Sequence, residues 1–183
     1  MGALLRSAGL RRPTPVQSMY ITKQAAIGGQ VVAHQDSAFL STAPEETCVG
    51  FWVALQEATR DNGCLWVLPR SHAAGVAKRF VLTPERKTRW EGDGAPPALG
   101  RIDEAGGWLP LCVPAGGAVL LHGAVVHASH ANTSGASRHA YSVHFVEADA
   151  DWRADNWMHR APDFPPVPLA EEEDGGGGGG AGA

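Results

Sequence analysis

Short apolar runs, each cut off by glycine, proline, asparagine or aspartate, constrain this chain more than any other feature. The runs "VQSMYITKQ", "GGQVVAHQD", "CVGFWVALQEA" and "GCLWVLPRSH" are rich in β-branched and aromatic residues. Such residues suit a pleated, half-buried surface. The pattern resumes in "WLPLCVPAGGAVLLHGAVVHASHAN" and "SRHAYSVHFVEA". Many short strands with little helix between them predict a mainly β fold, a sandwich or barrel. The exception is "MGALLRSAGL", where Leu4, Leu5, Ala8 and Leu10 keep helical spacing before the break at "RRPTP". A helix this short is marginal alone, so it is expected to dock outside the sheets.

Two segments stand apart. Residues from Thr83 to Gly107 are polar and rich in proline and glycine, which predicts a long loop or lid. After Trp152 the chain reads as irregular, and "EEEDGGGGGGAGA" predicts disorder. The expected organisation is one domain over residues 1–169 and a disordered acidic and glycine-rich tail over 170–183. A formal charge of −4 with no basic run argues against a nucleic-acid partner. Cys48, Cys64 and Cys112 are scattered and odd in number, which argues against a disulfide framework or thiolate zinc site and predicts three buried apolar cysteines. No stretch is long enough to span a membrane, and no secretory apolar region follows Met1. Arg6 occupies the position where myristoylation needs Ser or Thr. A cytoplasmic protein without a membrane partner is the expectation.

The run "VVAHQDSAFL" ends in His34-Gln35-Asp36. Two residues apart on a strand, His34 and Asp36 would face the same way. A lone pair of this kind is weak evidence; a third ligand from a distant strand changes its weight. "LLHGAVVHASHAN" offers His122, His127 and His130. His127 ends the strand-like run Ala124-Val125-Val126, as a ligand at a barrel mouth would. His122, in a turn, and His130, in a loop, read as structural or solvated. Two imidazoles and one carboxylate leave three adjacent positions open on a metal, the facial triad of non-haem iron(II) oxygenases. A zinc hydrolase can use the same ligand types.

"SRHAYSVHF" adds a different group. On an alternating strand Arg138, Ala140, Ser142 and His144 share one face. An inward arginine needs an anionic partner, because an unpaired buried charge is very costly. The distal carboxylate of 2-oxoglutarate would fit its planar fork, with Ser142 on the same face as a further donor.

Taken in order, "QSMYITKQ", "HQDSAFL", "NGCLWVLPRSH", "LHGAVVHASHAN", "SRHAYSVHF" and "DNWM" resemble the phytanoyl-CoA dioxygenase family. The resemblance runs from about Leu4 to Pro165. It implies a double-stranded β-helix, cupin-like, and an Fe(II)- and 2-oxoglutarate-dependent oxygenase that uses dioxygen. It implies iron ligands at His34, Asp36 and His127 and a 2-oxoglutarate salt bridge at Arg138. It also implies that Met19 and Trp52 line the co-substrate; from the residues alone both read as core. Arg70 departs from the pattern, standing where a glycine is usual, and this bears on the turn there. The chain also lacks the helical N-terminal portion of family members. Apolar surface around Leu4 and Leu5 is therefore expected to be exposed, with poor solubility or weak folding.

The implied reaction decarboxylates 2-oxoglutarate to succinate and carbon dioxide and hydroxylates a small organic substrate. Asp36 argues against a halogenase, which needs that position vacant. Arg79, Arg86, Lys87 and Arg89 read as a solvated face and not as a phosphate-binding patch, so the family name does not identify the substrate. Two alternatives remain: another metal-dependent cupin enzyme, against which Arg138 argues, and a catalytically impaired cupin-like remnant.

Overall fold

A computed structural model describes residues 1–92, 101–158, 163 and 165–170. The elements are helix α1 (Gly2–Ser7) and strands β1 (Pro13–Lys23), β2 (Val31–His34), β3 (Thr42–Ala43), β4 (Val49–Ala54), β5 (Leu65–Val67), β6 (Arg79–Leu82), β7 (Thr88–Glu91), β8 (Leu109–Leu111), β9 (Ala118–His122), β10 (His127–Ser129), β11 (Arg138–Glu147) and β12 (Asp151–Trp152). Short 3-10 turns lie at Asp36–Ala38, Ser71–Ala74 and Glu104–Gly106.

Two four-stranded antiparallel sheets, ordered β1-β11-β4-β9 and β2-β10-β5-β8, make a double-stranded β-helix. Apolar side chains between them form the main core, with Trp52, Leu65, Trp66, Trp108, Leu121 and Val126 at its centre. The alternation on β11 holds: Arg138, Ala140, Ser142 and His144 are buried, while Tyr141 is exposed. The predicted mainly β architecture is the observed one.

Helix α1 packs Leu5 against the outer face of the first sheet, with Leu10, Phe51 and Phe145. Leu5 is thus fully buried, contrary to the expectation that it would lie exposed; Leu4, on the other side of the helix, is exposed. One helical turn places only one of two adjacent leucines on the sheet.

Other expectations need correction. Part of the segment predicted as a loop from Thr83 is strand β7, which forms a hairpin with β6 whose pairs run from Arg79↔Glu91 to Leu82↔Thr88. Its polar composition reflects an edge hairpin exposed along β7. Residues 93–100 of that segment, and 171–183 of the predicted tail, lie outside the described residues. Cys48 and Cys64 are buried, but Cys112 is exposed. Arg70, in place of glycine, does take the left-handed conformation, with φ 65° and ψ 2°.

Candidate metal and co-substrate site

His34 is the last residue of β2, and its Nδ1 lies 2.8 Å from the Val32 carbonyl. His127 is the first residue of β10, with Nδ1 3.1 Å from the Val125 carbonyl. The two are register partners across β2 and β10, with ring centroids 4.2 Å apart. A ring nitrogen that donates to a backbone carbonyl fixes the tautomer and leaves the other nitrogen free to bind. In both rings that free atom is Nε2.

Asp36 joins them by a different route from the one the sequence predicts. The strand stops at His34, and Asp36 opens a 3-10 turn. The Ser37 amide donates to the Gly123 carbonyl at 2.9 Å, anchoring the turn. The Gln35 side chain pins the same segment, donating to the Ala124 carbonyl and accepting from the Ala77 amide. Asp36 Oδ1 comes to rest 3.6 Å from Nε2 of both His34 and His127. One potential ligand atom from each residue lies within 4.8 Å of the other two. The run Ala124–Val126 before His127 is a turn and not a strand, and His122 ends β9 and does not sit in a turn. His122 meets His72 at 5.1 Å between rings, and His130 Nε2 lies 2.9 Å from the Ile102 carbonyl. Neither belongs to the cluster.

Burial alone would raise the Asp36 carboxyl, but the imidazoles of His127, His144 and His34 around it hold it well below the usual carboxylate range. Burial pushes His127 down, against the pull of Asp36. An ionised carboxylate beside a neutral imidazole is the donor chemistry a divalent transition metal takes.

A cavity of about 330 Å³ opens on this cluster and is also lined by Met19, Trp52, Arg138, Ser142 and His144. Arg138 is 1% exposed. Its Nη2 donates to the Gly63 carbonyl at 2.8 Å, and its guanidinium carbon lies 5.4 Å from the Trp52 ring centroid. Its Nε and Nη1 are buried without a hydrogen-bond partner. Burial lowers its pKa to about 10. Lys23, its register partner on β1, is buried too; its ammonium donates to the Gly29 carbonyl at 2.5 Å and the His130 carbonyl at 2.7 Å. Burial and, after it, the Arg138 charge bring Lys23 down to about 8. Buried donors left open in this way are costly unless an anion completes them.

Sequence reasoning gave no role to His144, although its place on the Arg138 face marks it as inward. Its Nε2 lies 3.2 Å from Asp36 Oδ2, without hydrogen-bond geometry, since that oxygen is buried and unpartnered. Gly50, opposite His144 on β4, makes the room: a Cβ there would sit 3.2 Å from Asp36 Oδ2 and 3.5 Å from His144 Cδ2.

Residues 1–140 match the family model described as phytanoyl-CoA dioxygenase. The chain is 44% identical over 169 residues to phytanoyl-CoA dioxygenase domain-containing protein 1 of Bos taurus, covering 91% of this chain and 57% of that protein. It is 43% identical over 160 residues to a phytanoyl-CoA dioxygenase of Arabidopsis thaliana, covering 87% and 54%. The chain therefore spans little more than half the length of these relatives. Among solved structures it resembles the non-heme alpha ketoglutarate dependent carbocyclase SnoK from nogalamycin biosynthesis, at 25% identity and a TM-score of 0.65 over 92% of this chain and 63% of that one. The fold is also that of the non-heme monooxygenase ThoJ, at 22% identity and a TM-score of 0.62 over 83% and 54%.

Proposed function

Because the chain belongs to the phytanoyl-CoA dioxygenase family, we propose that it is an iron(II)- and 2-oxoglutarate-dependent oxygenase that hydroxylates a small organic substrate. One observation carries the reading: a single cavity presents both the His34–Asp36–His127 cluster and a buried guanidinium with two open donors. A metal hydrolase or isomerase has use for the first and none for the second.

His34, Asp36 and His127 would hold iron(II) on one side only, leaving the opposite positions to ligands. Arg138, whose Nε and Nη1 have no partner in the fold, would receive the distal carboxylate of 2-oxoglutarate on its guanidinium. The Trp52 ring centroid lies 5.4 Å from the guanidinium carbon, within cation–π range. Ser142 lies on the same face of β11 and would add a hydroxyl donor. Met19, Ile21, Leu65 and Leu121 supply apolar walls that limit water at the site. Iron(II) with 2-oxoglutarate and dioxygen would supply the oxidation: 2-oxoglutarate leaves as succinate and carbon dioxide, one oxygen atom enters succinate, and the other enters a substrate C–H bond.

The test is succinate formation from 2-oxoglutarate by the purified protein with iron(II) in air. The reading expects succinate from the wild type and none above background from Asp36→Ala. Equal succinate from both would overturn it.

A further inference from the structure

His34 is shared between two spaces. Besides the cavity that holds Arg138, it lines a cleft of about 210 Å³ whose other walls include Val32, Ala33, Phe39, Lys78 and Trp90. The Phe39 ring stands 6.3 Å from the His34 ring and 5.5 Å from the Trp90 ring. Phe80 backs both, 5.6 Å from Phe39 and 5.1 Å from Trp90. The hairpin β6–β7 carries Phe80 and Trp90, and Arg79 ties it to Asp155 at 2.5 Å. Trp90 is nevertheless 46% exposed. A large ring held half-bare at the rim of an apolar cleft offers a stacking face to a ligand.

The cleft's polarity is equally specific. Gln35 lies in its wall, but its amide is committed to the Gly75 and Ala124 carbonyls and the Ala77 amide. Among the described residues that line it, the free charge is Lys78, whose Nζ lies 4.4 Å from the Trp90 ring centroid. No carboxylate pairs with it among the described residues. The neighbouring arginines differ: Arg79 is held by Asp155 and Glu91, and Arg89 by Glu91. One cation in the cleft's described lining can meet one anionic group; Arg86 and Lys87, in the turn of the hairpin, lie outside that lining.

We propose that this cleft seats the primary substrate, and that the substrate is a small apolar or aromatic carboxylic acid, taken free and not as a nucleotide-bearing thioester. The apolar part lies between Phe39 and Trp90, and the carboxylate pairs with Lys78. A ligand there is one imidazole away from the His34–Asp36–His127 cluster. Its hydroxylation rests on the oxygenase reading; its binding does not.

The experiment measures binding of 3-phenylpropanoate, octanoate and the methyl ester of each to metal-free protein, by saturation-transfer NMR and tryptophan fluorescence. At least one acid should bind saturably and beat its ester by at least about fivefold, the weight of one charge-assisted contact. Lys78→Ala should remove that preference and Lys78→Arg should keep it. Trp90→Ala, at a position that is 46% exposed, should weaken acid and ester alike. Asp36→Ala should bind the acid as wild type does, which separates this inference from the metal reading. Binding of neither acid, an ester bound as tightly as its acid, an acid preference that survives Lys78→Ala, or displacement by coenzyme A at lower concentration than by the acid would each overturn the proposal. Failure of succinate formation with acid binding intact would remove the oxygenase reading and leave the cleft's ligand in place.

Discussion

His127 Nε2 stands 3.6 Å from Asp36 Oδ1, though one residue opens a strand late in the chain and the other a 3-10 turn early in it. At that separation ligand distances of about 2.0–2.2 Å reach both atoms from one metal. The pairing of β2 with β10 sets the gap, and the anchored turn after His34 sets its direction.

Arg138 should matter to the co-substrate and hardly to the metal. Arg138→Ala is expected to weaken 2-oxoglutarate by about a hundredfold or more, the usual loss when one partner of a buried ion pair is removed. Iron(II) affinity should move by less than a few-fold. Titration calorimetry with each ligand checks this; equal losses would mean that Arg138 serves the fold.

Gly50 should be required for the metal. Gly50→Ala places a methyl group 3.2 Å from Asp36 Oδ2 and 3.5 Å from His144 Cδ2, so the carboxylate must give way by a few tenths of an ångström. A stability loss of about 1–3 kcal/mol is expected from overpacking, with a larger proportional loss of iron(II) binding. Denaturant unfolding and metal titration, run together, separate the two effects. Unchanged metal affinity in a folded Gly50→Ala protein would show that Asp36 has room to spare.

Lys23 should make stability depend on alkaline pH. Its pKa falls to about 8 in the folded chain, from the ordinary lysine value of 10.5. Between these values the unfolded chain binds the proton more than the folded one, so stability rises with pH through that window. Below pH 8 the charged ammonium is buried at full cost. Wild type measured against Lys23→Met should therefore gain, on the order of 1–3 kcal/mol, between pH 8 and pH 10.5. A flat or falling difference would contradict a buried, depressed Lys23.

Much of this was legible in the sequence because side-chain alternation survives folding. Arg138, Ser142 and His144 face inward as a period of two requires. The strand-like punctuation also carried the two sheets. Local geometry was less visible. Nothing in "HQDSAF" signals that the strand ends at His34, because the 3-10 turn depends on contacts from Gly123 and Gln35 made far along the chain. The hairpin β6–β7 was missed for a similar reason: Thr88–Glu91 is exposed throughout and lacks the apolar alternation that marks a strand. Trp90, inside the polar segment that starts at Thr83, and Lys78, just before that segment, thus drew no attention. Lys23 reads as an ordinary strand-end lysine until its register partner proves to be Arg138.

The most direct measurement is an anaerobic titration of metal-free protein with iron(II) and then 2-oxoglutarate, followed by visible absorption. The account predicts a metal-to-ligand charge-transfer band that saturates near one equivalent of each. The band should vanish in His127→Ala and Asp36→Ala and need far more 2-oxoglutarate in Arg138→Ala. Folded protein that gives no band, or a band undiminished in His127→Ala, would contradict it.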